Sequence, residues 1–92
     1  MKFMTAWTTH PGSLKDAVAR FLAGQGQPPA GVKLLGRWHK GDMSGGWALI
    51  EADTAQAAFE YSAMWADVLS LQTTPVVEDA EGGPALARVF KG

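Results

Sequence analysis

Between Arg37 and Glu51 the chain reads RWHKGDMSGGWALIE, and four of its residues have side chains suited to chemistry on one molecule. Arg37 offers a planar cation for a carboxylate or phosphate. His39 can take or give a proton near neutral pH. Trp47 can stack on a flat ligand, and Glu51 can accept hydrogen bonds or balance charge. If the segment is a hairpin in which Lys40 pairs with Gly46, then His39 lies opposite Trp47 and Arg37 opposite Leu49. Arg37, His39, Trp47, Leu49 and Glu51 then share one sheet face. That register suits a small polar aromatic ligand, with His39 as acid or base and Arg37 and Trp47 holding the molecule. A slip of one residue pairs Trp38 with Trp47 instead. The plainer expectation is that Arg37 and Glu51 form a cross-strand ion pair and His39 lies at a dimer rim.

Other chemistries find less material. Gly41, Gly45 and Gly46 are not followed by the Lys-Ser/Thr of a phosphate loop, nor do they open a helix as a dinucleotide fingerprint must. They are read as hairpin residues supplying positive φ. His10, His39, Asp42 and Glu51 lack the spacing of metal ligands, so neither a metal nor another cofactor is expected. With no cysteine, thiolate catalysis and disulfides are excluded. Ser13, Ser44 and Ser62 have no nucleophile-elbow context. Glu78 and Asp79 read as a solvated joint. Trp7, Trp38, Trp47 and Trp65 are expected mainly in core and interface packing, with Trp7 and Trp38 also available to a ligand.

The elements that must position these residues follow from periodicity. Lys2 to Thr8 is apolar on both parities, as in a central strand. Ser13 resembles an N-cap, and Leu14, Ala17, Val18, Phe21 and Leu22 form a helical stripe ended by Gly24. GQGQPPAG (24–31) is a connection. Val32 to His39 reads as a second strand, with Val32, Leu34 and Trp38 on one parity and Lys33, Leu35, Arg37 and His39 on the other. Trp47 to Ala52 is the third. A helix beginning near Asp53 carries a stripe from Ala55 to Leu69, with Tyr61, Met64 and Val68 as its flank. Leu71 to Val77 is the fourth strand, its Pro75 suited to an edge. After a polar joint (78–83), Pro84 opens a short helix or arm.

Strand, helix, strand, strand, helix, strand is the split βαβ, or ferredoxin-like, α+β arrangement: a four-stranded antiparallel sheet with both helices on one face. The other face is left bare although its residues are partly apolar. A second copy of the chain covering it predicts a homodimer.

The 92 residues (1–92) suit one domain. Eight Lys and Arg against nine Asp and Glu, scattered along the chain, leave no basic footprint for nucleic acid. No apolar run reaches the ~18 residues of a membrane span, and no signal-peptide pattern opens the chain, so a soluble, cytoplasmic protein is expected.

The segments KFMTAWT, GVKLLGRWH, GGWALIE and WADVLSLQTTPVVED together resemble a family of small, mostly bacterial proteins described only as a domain of unknown function. That family is similar in fold to the dimeric α/β-barrel superfamily, in which two ferredoxin-like sheets pair into a barrel. The resemblance implies a homodimer and admits two functions. One is a ligand-binding or structural module. The other is a cofactor-independent monooxygenase or isomerase acting on a small aromatic or lactone substrate.

Overall fold

The computed structural model describes residues 1–91. Four eight-residue strands, β1 (Lys2–Thr9), β2 (Val32–His39), β3 (Gly45–Ala52) and β4 (Leu69–Val76), alternate with α1 (Leu14–Leu22) and α2 (Ala55–Ala63) in the order β1-α1-β2-β3-α2-β4. A third helix, α3 (Asp79–Phe90), follows. The strands pair in the order β2-β3-β1-β4, every pair antiparallel. This is a ferredoxin-like α+β fold.

The core lies between α2 and the sheet. Phe3, Ile50, Ala52, Ala58, Tyr61, Trp65, Val68 and Leu69 form one buried cluster, with Ile50 only 1% exposed at its centre. Small residues at Ala52 and Ala58 let helix and sheet approach closely, while Tyr61 and Trp65 fill the space beside them. Thr54, not Asp53, caps α2, its hydroxyl accepting the Ala57 amide at 3.1 Å. The helix also ends earlier than its apolar stripe suggests. Past Ala63 the chain turns, Val68 and Leu69 both enter the core, and Leu69 already belongs to β4. The 24–31 connection is pinned to this core by Trp65, whose indole donates to the Gly26 carbonyl at 3.2 Å. Gly26 has φ +69°, and a Cβ there would come within 2.7 Å of the Trp65 ring, so only glycine fits.

The other two helices are different. None of the residues of α1 is buried, and Ser13 stands at its N-cap without a side-chain hydrogen bond. None of α3 is buried either. α3 starts at Asp79, taking in the segment expected to be a joint, with Pro84 inside it. Asp79 and Glu81 in its first turn complement the helix dipole. Its Leu86, Val89 and Phe90 are exposed, Phe90 by 76%. The radius of gyration is 15.5 Å and the longest dimension 54 Å. A compact chain of this length would have a radius of about 12 Å. The excess goes with an α3 none of whose residues is buried. No helix among the described residues is long and apolar enough to cross a membrane.

Candidate functional site

The site begins with the register of β2 against β3. Lys40 donates to the Gly45 carbonyl at 2.8 Å, closing a four-residue loop, so His39 pairs with Gly46, Trp38 with Trp47 and Arg37 with Ala48. This is the one-residue slip from the register that would gather Arg37, His39, Trp47 and Glu51. Because side chains alternate along a strand, the slip separates them. Arg37 and His39 share a face with Trp7 and Ala48, toward the helices, whereas Trp38, Trp47 and Glu51 lie on the opposite, open face. The Arg37–Glu51 ion pair is therefore not formed. The ion pairs among the described residues are Lys2–Glu78 and Arg20–Asp67.

Two local features produce this arrangement. Leu35 is an extra residue between the pairs Leu34–Ile50 and Gly36–Leu49, a β-bulge. It reverses the parity of β2 midway, so Val32, Leu34, Arg37 and His39 all face the helices although the numbers change from even to odd. The second feature is Gly46. A Cβ there would meet the Trp38 carbonyl oxygen and approach Trp7 to 2.6 Å, so its absence lets the Trp7 indole lie against the sheet. Gly45 and Gly46 are thus strand residues cleared for a tryptophan, not turn residues. The left-handed position of the loop is taken by Met43, at φ +66°. Asp42 supports that turn by accepting from the Ser44 amide at 3.0 Å and hydroxyl at 2.7 Å, and these bonds lower its pKa.

Between the helix-facing side of the sheet and α1 lies a cavity of about 400 Å³. α1 forms its roof with Leu14, Ala17, Val18 and Phe21. Trp7, Ala48 and Leu71 of the sheet and Tyr61 and Trp65 from the α2 side complete the apolar wall. The roof is latched at one point. Arg20 donates to both Asp67 carboxylate oxygens at 2.8 and 2.7 Å and to the Met64 carbonyl at 3.1 Å, with its guanidinium 5.4 Å from the Trp65 ring. This fork holds the Asp67 carboxyl down at about 2.

Polar groups in the cavity are few. The Arg37 guanidinium donates to the Tyr61 hydroxyl at 3.2 Å and stacks 5.1 Å from the Phe21 ring. His39 meets Phe21 and Trp7 edge-on, with centroids 5.3 and 5.7 Å away. Deeper, the Thr73 hydroxyl lies 2.9 Å from those of both Thr5 and Ser62, so these three hydroxyls are bonded mainly to one another. Lys40 reaches the cavity's edge, but its ammonium lies 5.3 Å from the Trp47 ring.

Of the six residues singled out from sequence, the fold brings Trp7, Arg37 and His39 together at the cavity. Trp38 and Trp47 lie side by side on the open face, 55% and 43% exposed, with Glu51 two residues beyond Leu49 in the same row. Phe21 and Tyr61 escaped notice as site residues because each sits in an apolar helical stripe. Tyr61 did carry a signal, since a phenol in such a stripe needs a partner for its hydroxyl. Among the described residues no three His, Asp or Glu side chains gather as a metal site.

Fold and cavity together define a small ferredoxin-like α+β domain with a pocket between its sheet and its first helix. The chain belongs to the family described as a domain of unknown function, DUF3303, whose model matches residues 1–90. No curated protein and no solved structure matches it.

Proposed function

We propose that this protein is a binding module for a small, largely apolar molecule held between α1 and the sheet, and that it works as a homodimer. The observation that carries the reading is the cavity under a helix none of whose residues is buried. α1 turns toward the cavity an apolar stripe in which Leu14, Val18 and Phe21 stay 39%, 38% and 41% exposed, which a 92-residue chain with little core to spare has reason to avoid. A ligand would bury that stripe, and the cavity volume falls within the ~300–1,000 Å³ range of small-molecule sites.

The test uses naphthalene-1-acetamide, a neutral bicyclic probe. Binding should quench Trp7 and Trp65 and raise the melting temperature. Ala17→Phe, which fills the cavity from its roof, should abolish both effects. An unchanged melting temperature and emission at millimolar probe would reject the reading.

For the dimer, the occupant favoured is a second copy on the open face. That face carries Met4, Leu49, Trp38 and Trp47. Eight residues by four strands span about 26 by 19 Å, or roughly 500 Å². A stable interface takes about 800 Å² per partner, and the exposed apolar side of α3 would supply the rest. Sedimentation should show a dimer at micromolar concentration, weakened by Trp38→Glu. Only monomer for the wild type rejects this part.

The alternative, a cofactor-independent monooxygenase or isomerase using His39, is favoured by one observation, the place of His39 on the cavity wall. Against it, the groups packed on the imidazole are the rings of Trp7 and Phe21, which do not orient a proton.

A further inference from the structure

We infer that the cavity is suited to a small amphipathic monocarboxylate, its carboxylate held by Arg37 beside Tyr61 and its apolar body lying beneath α1. The inference rests on the ligand-binding reading above and adds the chemical class of the ligand.

The charge on the cavity wall is of one sign. Among the described residues the charged side chains lining the cavity are Arg37 and Lys40, and no Asp or Glu lines it. Arg37 is half-buried, yet the ion pairs of the structure lie elsewhere, at Lys2–Glu78 and Arg20–Asp67. Its one side-chain hydrogen bond goes to a neutral hydroxyl, and Phe21 covers one flat side of the guanidinium. A guanidinium has five N–H donors in its plane. Most of them remain for something that enters the cavity, and a half-buried cation gains most from an anion.

Arg20 shows what this chain does when a guanidinium is paired from within. It forks onto both oxygens of Asp67. Arg37 has the same fork and, among the described residues, no carboxylate to receive it. Tyr61 strengthens the site, because a hydroxyl that accepts from Arg37 keeps its own proton for donation. Guanidinium and phenol together match the two oxygens of a planar carboxylate. A phosphate monoester would bring up to two charges and three terminal oxygens beside a single guanidinium, since the Lys40 ammonium lies against the Trp47 ring and most of the remaining lining is Leu, Val, Ala, Phe and Trp; one charge suits this wall better than two. The same walls call for an aromatic or branched aliphatic body.

The closing experiment compares naphthalene-1-acetate with naphthalene-1-acetamide, which share a body and differ in charge, by isothermal titration on the full chain. The carboxylate should bind the wild type at least about tenfold more tightly, as a charge-assisted pair requires. Arg37→Gln should remove that preference, and Arg37→Lys should retain part of it. Equal binding of the two probes by wild type overturns the carboxylate inference while the cavity reading stands. A carboxylate preference that survives Arg37→Gln also overturns it. Failure of both probes to bind overturns the two together. The wild-type comparison decides even if the Arg37 variants do not fold.

Discussion

α1 and α2 lie over the same face of one sheet, are nine residues long each, and are used in opposite ways. α2 buries Ala58 and Tyr61 and is inseparable from the core. α1 is the more clearly amphipathic, yet none of its residues is buried; Arg20 fastens it by hydrogen bonds, with Ala17 beside the core and Phe21 against His39 and Arg37. The difference shows that an apolar stripe states what a helix avoids, not what it touches. A stripe that meets small residues closes onto the sheet. One that meets the flank of Trp7, Arg37 and His39 is held away from it, and a cavity remains.

Substitutions sharpen that contrast, beginning with the largest effect. Ile50→Ala, at the centre of the α2 core, should cost about 3 kcal/mol in urea denaturation, from lost burial and an unfilled hole. Val18→Ala, in the α1 stripe and 38% exposed, should cost under about 1 kcal/mol. Equal costs would mean that α1 belongs to the core after all.

A smaller effect separates local from global stability. Arg20→Ala should speed amide exchange throughout α1 while β1 and β3 keep their protection, since the latch joins the helix to the turn after α2 and to nothing in the sheet. Uniform loss of protection would break the comparison.

The smallest is a dependence on acid. The Asp67 carboxyl is lowered from 3.8 to about 2 by Arg20, so the latch is fully present above the ordinary carboxylate value and is lost as pH falls through about 2. The Asp67 side-chain carbonyl resonance should titrate near that value, and α1 amide shifts should follow it. A midpoint near 3.8 with α1 unmoved would detach the helix from the latch.

Much of the fold was legible in the sequence. Periodicity located all four strands and both crossover helices, and their order implied the ferredoxin-like sheet. Errors fell at boundaries where one residue type serves two elements. Val68 and Leu69 continue the stripe of α2 by spacing, but the turn after Ala63 gives them to the core and to β4. Pro84 reads as a helix start, but the helix begins at Asp79 and carries the proline inside. Of the residues singled out for a site, Trp7, Arg37 and His39 line the cavity while Trp38, Trp47 and Glu51 do not, and Phe21 and Tyr61, which do line it, were hidden among apolar helical neighbours with which they share spacing.

Residue type and local period were enough to set the elements, their order and the gathering of basic and aromatic residues around the hairpin; that Arg37 has no ion-pair partner among the described residues came only with the register of the folded sheet. Only the tertiary structure decided which side of the sheet each residue serves. Leu35 as a bulge, a four-residue loop in place of five, and Trp7 lying against Gly46 set the pairing of β2 with β3. A period of two turns any odd shift into a change of face, so a single residue of register sent Arg37 and His39 to the cavity and Trp38, Trp47 and Glu51 to the open sheet.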